Sequence, residues 1–532
     1  MHRILKLRAG KTVVLLTITL LIYLPVLYGL KDAFLDDNGF FTLQYIIDTF
    51  SRPSIQNSLR FTFIQALLSS VIATILGSTL ALSLLLVGFR GARLLRALSI
   101  VPFMAPPMVV VTGFTALYGA NGLLSSIIPW LRVFGEGFWA IIAAHVFYNI
   151  PLSLNFVYAS LVSIPREIID VSTVFSRGNI KILFQRIILP YVLPASASAF
   201  TLTFIYCFTS FAIPLSLGGV GYSTLEVYIY YYYKLLFDNH RAAAIALIQY
   251  LILFTIVLLF VSMHGRTLAP PTGYRHYRIK LPVWLRRTLL VYMVIVFVYL
   301  YMPLFAIPYY ALLNPYTKEY SLAGFKRVLS LGYDPGLGVE TSIVFLNTGY
   351  FALMTGVFAL AIASIIVFLG EEFYDVVYIS LLAISPITLS LGLVRTYSYY
   401  LPNPLLIVFA HTIAALPLVT RVLRIGYSRV AKLLVDAAKV VGEHGLPLYM
   451  RVIVPLMKPS YLVALSLALV VSLGEFSATL FISTTSTTTL GIAIYRYRGV
   501  RDWQASAAAA SLLLAATSVI LVLLSRKMER WL

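Results

Sequence analysis

The chain has 532 residues, 60% of them hydrophobic and only 11% charged, where soluble domains carry about 25% charged residues. With a mean hydropathy of +0.90, that much apolar surface needs lipid as its solvent, which excludes a water-soluble enzyme or binding module. The net charge of +20 does not point to nucleic acid, because the basic residues cluster between apolar runs, as in a positive-inside membrane topology.

A bilayer core takes about 20 apolar residues per helix. In chain order the predicted spans are 12–30, 60–88, 97–118, 138–162, 190–216 and 242–263, then 288–313, 342–369, 376–395, 403–422, 456–483 and 505–525. The basic start and first apolar run imitate a signal peptide, but the run is long for one and no small-residue cleavage site follows it. It reads as a retained membrane helix. Pro102, Pro106, Pro107 and Pro386 fall inside predicted spans, where neighbouring helices can satisfy the freed backbone. The single cysteine, Cys207, lies in an apolar run. It excludes an internal disulfide and a multi-cysteine metal site, and reads as a small buried hydrophobe.

If the N-terminus is cytoplasmic, the inside segments hold Arg3, Lys6, Arg8, Lys11, Arg90, Arg93, Arg96, Arg166, Arg177, Lys181, Arg186, the basic run Arg266–Arg287, Arg421 to Lys458, and Arg526, Lys527 and Arg530. They carry most of the 40 Lys and Arg, so both termini are expected in the cytoplasm of a plasma-membrane protein. Glu371, Glu372 and Asp375 also fall inside, but acids weigh little in this rule. Residues 264–285, with Pro270, Pro271, Gly273 and Pro282, read as a cytoplasmic linker between a first half, 1–263, and a second, 286–532.

The halves repeat one another. His145 to Pro151 resembles His411 to Pro417, Asp170 matches Asp436, and Ile187-Ile188-Leu189-Pro190 matches Val452-Ile453-Val454-Pro455. Ser210-Phe211 matches Glu475-Phe476, and Thr224-Leu225 matches Thr489-Leu490, at nearly constant spacing. Six spans per half give both halves one orientation, a parallel repeat about the membrane normal with a pathway expected at the interface.

One motif carries mechanism. Asp436-Ala437-Ala438, three residues, Gly442, nine residues, then Val452 to Pro455 resembles the EAA loop of permease subunits of ATP-binding-cassette importers, with Asp in place of Glu. The first-half copy is degenerate: Asp170-Val171-Ser172 stands for the acid and two small residues, Gly178 comes late, and Pro190 closes the loop. Read physically, a short helix with an acid near its positive end, small residues for close packing and a glycine turn suits a rigid knob that receives force. Gly10-Lys11-Thr12 imitates the end of a P-loop, but Leu5 stands where that motif wants glycine.

The resemblance covers most of both halves. It implies an all-α integral membrane protein of 12 transmembrane helices in two tandem six-helix halves, the type I importer permease fold. It further implies two separate ATPase subunits on the cytoplasmic side, an extracytoplasmic substrate-binding protein and ATP bound by the partner. This chain is expected to be no enzyme and to hold no cofactor or metal. Ser210 to Gly219 and Arg241 to Gln249 are similar to the thiamine type, whereas Leu473-Gly474-Glu475-Phe476 resembles iron, sulfate and molybdate permeases. Thiamine or ferric iron is the expected substrate, with an oxyanion as the alternative.

Polar residues within spans are the pathway candidates: His145, Ser210, Phe211, His411, Glu475 and Phe476. An acid at mid-bilayer is costly, about 2.5–3.5 kcal/mol, and belongs in the bundle interior. Glu475 therefore reads either as an attractor for a cation or as a structural partner of Arg496 or Arg498. The histidines are core residues or lining. Tyr228 and Tyr230 to Tyr233 read as an interfacial belt, with contact to a substrate-binding protein or to a passing cation as the alternative. An ion-coupled secondary transporter is the competing class, and it has no use for a docking loop.

Overall fold

The computed structural model describes residues 2–88, 91–175, 180–219, 221–264, 281–314, 316–369 and 380–528. Apart from a small hairpin, Tyr333–Asp334 with Val339–Glu340, its architecture is helical. The first half contributes α1 (His2–Leu30), α2 (Pro53–Val87), α3 (Pro107–Tyr118), α4 (Phe138–Val162) and α5 (Arg166–Phe175). It closes with α6 (Leu189–Phe208), α7 (Ala212–Leu217) and α8 (Asn239–His264). The second contributes α9 (Val283–Leu312), α10 (Thr341–Leu369), α11 (Pro386–Tyr397), α12 (Asn403–Ser428) and α13 (Lys432–Val440). It closes with α14 (Lys458–Gly474), α15 (Ser477–Ile482) and α16 (Trp503–Met528).

Among the described residues, 9 helices are long and apolar enough to cross a membrane, or up to 11 if two sharply bent pairs each count as a span. The bends revise the expectation of continuous spans. Within 97–118 the helix axis turns by 98°. The residue before a proline is pushed out of the helical region, and Ala105 and Pro106, each preceding a proline, are extended, with ψ of 136° and 139°. Within 456–483, α14 ends at Gly474 and α15 starts at Ser477, and a further bend of 82° lies where 445–456 meets 458–474. Residues 190–216 likewise divide into α6 and α7. The expected span 376–395 begins outside the described residues. Its described part is a turn at Ser380–Ala383 and α11, which Pro386 opens and Ser385 Oγ caps by accepting the Thr388 N–H at 3.1 Å. Most of the expected linker, Gly273 included, lies outside the described residues.

The chain packs as two compact units that do not follow chain order. One comprises 1–52, 228–254 and 322–532, the other 53–227 and 255–321. The first unit is a bundle of α10, α12 and α14, with α1 laid against α11. A methyl on Gly392 would stand 2.5 Å from the Pro25 carbonyl oxygen, and one on Gly29 would stand 2.6 Å from the Gly392 Cα. Arg395 closes this crossing by an ion pair to Asp32 at 2.6 Å. The second unit is built on α2, α4 and α6, with α9 laid against α3. Here a methyl on Gly113 would stand 2.6 Å from the Pro303 carbonyl oxygen. Tyr292 and Tyr299 donate to the Leu76 and Ala143 carbonyls, both at 2.6 Å. In each unit a prolyl carbonyl meets a glycine, the close approach that small residues allow between membrane helices.

Candidate coupling loops and broken-helix sites

The second EAA-like loop is a capped, exposed helix. α13 ends at Val440 and the chain reverses at Gly442, whose φ is +90°. The Gly442 N–H donates to the Lys439 carbonyl at 3.1 Å and the Glu443 N–H to the Ala438 carbonyl at 3.0 Å. These are the two bonds of a Schellman cap, which needs a left-handed residue where the glycine stands. Asp436 is the fifth residue of α13, not the first, so the helix-dipole argument for the acid does not hold. Its carboxylate accepts from Lys439 Nζ at 3.2 Å on the exposed face. Asp170 is likewise the fifth residue of α5, where Glu167 occupies the first turn. Ala437 is exposed and Ala438 half-buried, as Val171 is exposed and Ser172 half-buried. Gly178 lies outside the described residues.

Both loops lead into the following helix through one device. Phe184–Ile188 and Tyr449–Ile453, which correspond in the repeat, are π-helical. Each ends just before the motif proline, with the Leu189 N–H donating to the Phe184 carbonyl and the Val454 N–H to the Tyr449 carbonyl. Pro190 and Pro455 have no N–H for the carbonyl four residues back, and their rings crowd it. Widening the turn relieves both problems, and π-turns of this kind concentrate at functional sites. Tyr449 anchors the second one, 4.4 Å ring to ring from Phe368 and 2.6 Å from the Tyr461 hydroxyl.

The remaining candidates gather at the two helix breaks. In the first unit, His411 is buried on α12 between Ser472 Oγ and Thr479 Oγ1, each 2.7 Å from a ring nitrogen. Glu475 lies in the gap between α14 and α15, and its carboxylate accepts the Ala478 N–H at 3.1 and 3.2 Å from its two oxygens. That bond answers the choice posed by the sequence differently: the acid caps the helix following it. Arg496 donates to the Leu337 carbonyl at 2.7 Å and to Thr488 Oγ1, while the Arg498 guanidinium lies over the Trp503 ring. Phe476 is buried, 5.6 Å from the Tyr495 ring. In the second unit, His145 is buried on α4, and Ser210 and Phe211 lie in the gap between α6 and α7. Asn149 turns its amide to the His145 carbonyl at 2.8 Å and to Cys207 Sγ at 3.6 Å. Tyr230 and Tyr233 pack on Phe481 of α15. Ser472 and Thr479 escaped the sequence reading because single hydroxyls in an apolar run leave no periodic signal. The repeat register does not point to them either, since Cys207 and Pro214 stand at the corresponding places.

Residues 73–266 match the family described as binding-protein-dependent transport system inner membrane component. The chain is 34% identical over 226 residues to the thiamine transport system permease protein of Haemophilus influenzae, covering 40% of each chain. It is 33% identical over 215 residues to the protein of the same name from Brucella abortus, covering 39% of each. The ferric transport system permease protein of Actinobacillus pleuropneumoniae is 24% identical over 494 residues, which is 89% of this chain and 72% of that one. The match thus spans about two fifths of the thiamine relatives and most of the ferric one.

Proposed function

We propose that this chain is the permease subunit of an ATP-driven importer, twelve spans in two six-helix halves, with α5 and α13 each seating one subunit of a separate ATPase dimer. The observation that carries this reading is the repeated loop. Each half offers a short amphipathic helix followed by a π-turn and a proline, and the helices present apolar side chains outward. On α13 and its cap, Leu433, Val440 and Val441 are 80–87% exposed, and on α5 Phe175 is 84% exposed. On a segment read as cytoplasmic, such residues mark a protein contact. The ATP is held by the partner, and this chain performs no chemistry of its own. A substrate-binding protein delivers the solute from the other side of the membrane.

The solute is read as a small cation, thiamine or ferric iron, from the names of the relatives and from the acid at Glu475. His145, Ser210, Phe211, His411 and Phe476 are read with it as pathway candidates. The test is co-purification of the ATPase with Val440→Asp or Ala438→Arg variants, which put a charge into a desolvated contact. A permease that inserts but no longer retains or stimulates its ATPase supports the reading. Ser172→Arg is expected to be milder. Undiminished uptake after changes in both loops overturns it in favour of an ion-coupled carrier.

A further inference from the structure

A continuous run of hydrogen bonds crosses the break at Glu475. Thr479 Oγ1 donates to the Glu475 carbonyl at 2.8 Å, which leaves its lone pairs for Nε2 of His411 at 2.7 Å. That nitrogen therefore carries the proton, and Nδ1 accepts from Ser472 Oγ at 2.7 Å. Every donor in the run has an acceptor, with the imidazole neutral. Ser472 belongs to the last turn of α14, Thr479 to α15 and His411 to a third helix, so the ring ties both sides of the break to one support.

The other half lacks this tie at the corresponding place. In the repeat register Cys207 stands for Ser472 and Pro214 for Thr479, a weak thiol donor and a side chain with no polar atom. His145 is 2% exposed, and neither of its ring nitrogens has a hydrogen-bond partner among the described residues. The equivalent histidines thus sit in unlike states: one bridges two helices through both ring nitrogens, the other has a partner for neither among the described residues.

We propose that His411 is a positioning residue. It latches α15 to α14 at a fixed angle and so keeps the Glu475 carboxylate in one place, while the break at Thr209–Phe211 is held without its histidine, by Thr224 Oγ1 donating to the Ser210 carbonyl at 3.2 Å and Gln65 Nε2 to the Cys207 carbonyl at 2.8 Å. The latch is a property of the chain alone; its consequence for transport rests on the permease reading. A carboxylate held by its support meets a cation without first being ordered, so its loss weakens capture of the solute before it slows turnover.

Two measurements test this. The first is amide exchange over 475–482 in the full chain in lipid nanodiscs. Thr479→Val is expected to speed exchange about tenfold, the scale of one lost hydrogen bond, and Thr479→Ser to leave it within about twofold. The second is uptake of thiamine or ferric citrate, whichever the wild type transports. Thr479→Val is expected to raise the half-saturating concentration several-fold at unchanged maximal rate, with Thr479→Ser restoring it. Unchanged exchange in Thr479→Val overturns the latch, and faster exchange with unchanged half-saturation overturns its positioning role. If the wild type transports neither solute, the substrate reading fails while the exchange result still decides the latch.

Discussion

Gly442 and Glu475 show how far a single residue can be argued. At φ +90° any Cβ is strained, so Gly442→Ala is expected to lose about 1 kcal/mol of local stability, read as faster proteolysis of the loop, with Gly442→Asn partly restoring it. A Gly442→Asp variant therefore reports the cap as well as the contact, and Val440→Asp is the cleaner probe of docking. Glu475→Gln keeps an oxygen for the Ala478 N–H and removes only the charge. Uptake of a cation is expected to fall about tenfold, as for a loss of ~1.4 kcal/mol, with thermal stability unchanged; full activity would reduce Glu475 to a helix cap. The sequence made Gly442 legible because a glycine at a fixed spacing in a loop has one conformational use. It left Glu475 ambiguous, because the bond that decides its role is to a backbone N–H three residues on.

At the scale of elements, a polar clasp joins the loop after α9 to the start of α16. Arg327 forks onto both oxygens of Asp334, at 2.7 and 2.8 Å, and reaches Asp502 at 2.6 Å, while the Tyr497 hydroxyl donates to Asp334 at 2.9 Å. Burial pushes the Asp334 carboxyl up, but the bonds from Arg327 and Tyr497 and the Arg327 charge outweigh it and hold it below the usual carboxylate range. A depressed folded-state value means stability that is fully present above the unfolded value, about 4, and lost as pH falls through the folded one. Thermal melts are expected to be flat near neutrality and to decline below about pH 4, and Asp334→Asn is expected to cost about 2 kcal/mol at pH 7 while removing that decline. Nothing in the sequence announces this clasp, since its two pairs, Arg327 with Asp334 and Tyr497 with Asp502, are far apart along the chain. The helices themselves were legible from apolar runs, whereas their breaks were not: hydropathy continues straight through Ala105–Pro106 and Glu475, and only the local backbone preferences turn the axis.

For the whole molecule, reporter fusions after Leu30, Thr267 and Leu532 are expected to place the first outside and the other two in the cytoplasm; an extracytoplasmic signal at Thr267 would refute the topology. The sequence reads as two tandem halves, whereas the compact units draw on both ends of the chain, because matching stretches of sequence record similarity while packing records contacts. Substitutions at the glycine crossings test those contacts. Gly392→Val or Gly113→Val would drive a side chain into backbone that cannot move aside, and each is expected to cost about 1–3 kcal/mol, seen as a lower melting temperature in detergent.

The same crossing has a consequence for how the protein is made. α1 leaves the ribosome well before the surface it lies on, which belongs to 386–397. At about 5–20 residues per second, the nascent helix waits in the bilayer for tens of seconds with its glycine face turned to lipid. Newly synthesised chains are therefore dependent during that interval on whatever shelters an unassembled helix, and a ribosome stalled before residue 386 leaves α1 open to the membrane's quality-control proteases.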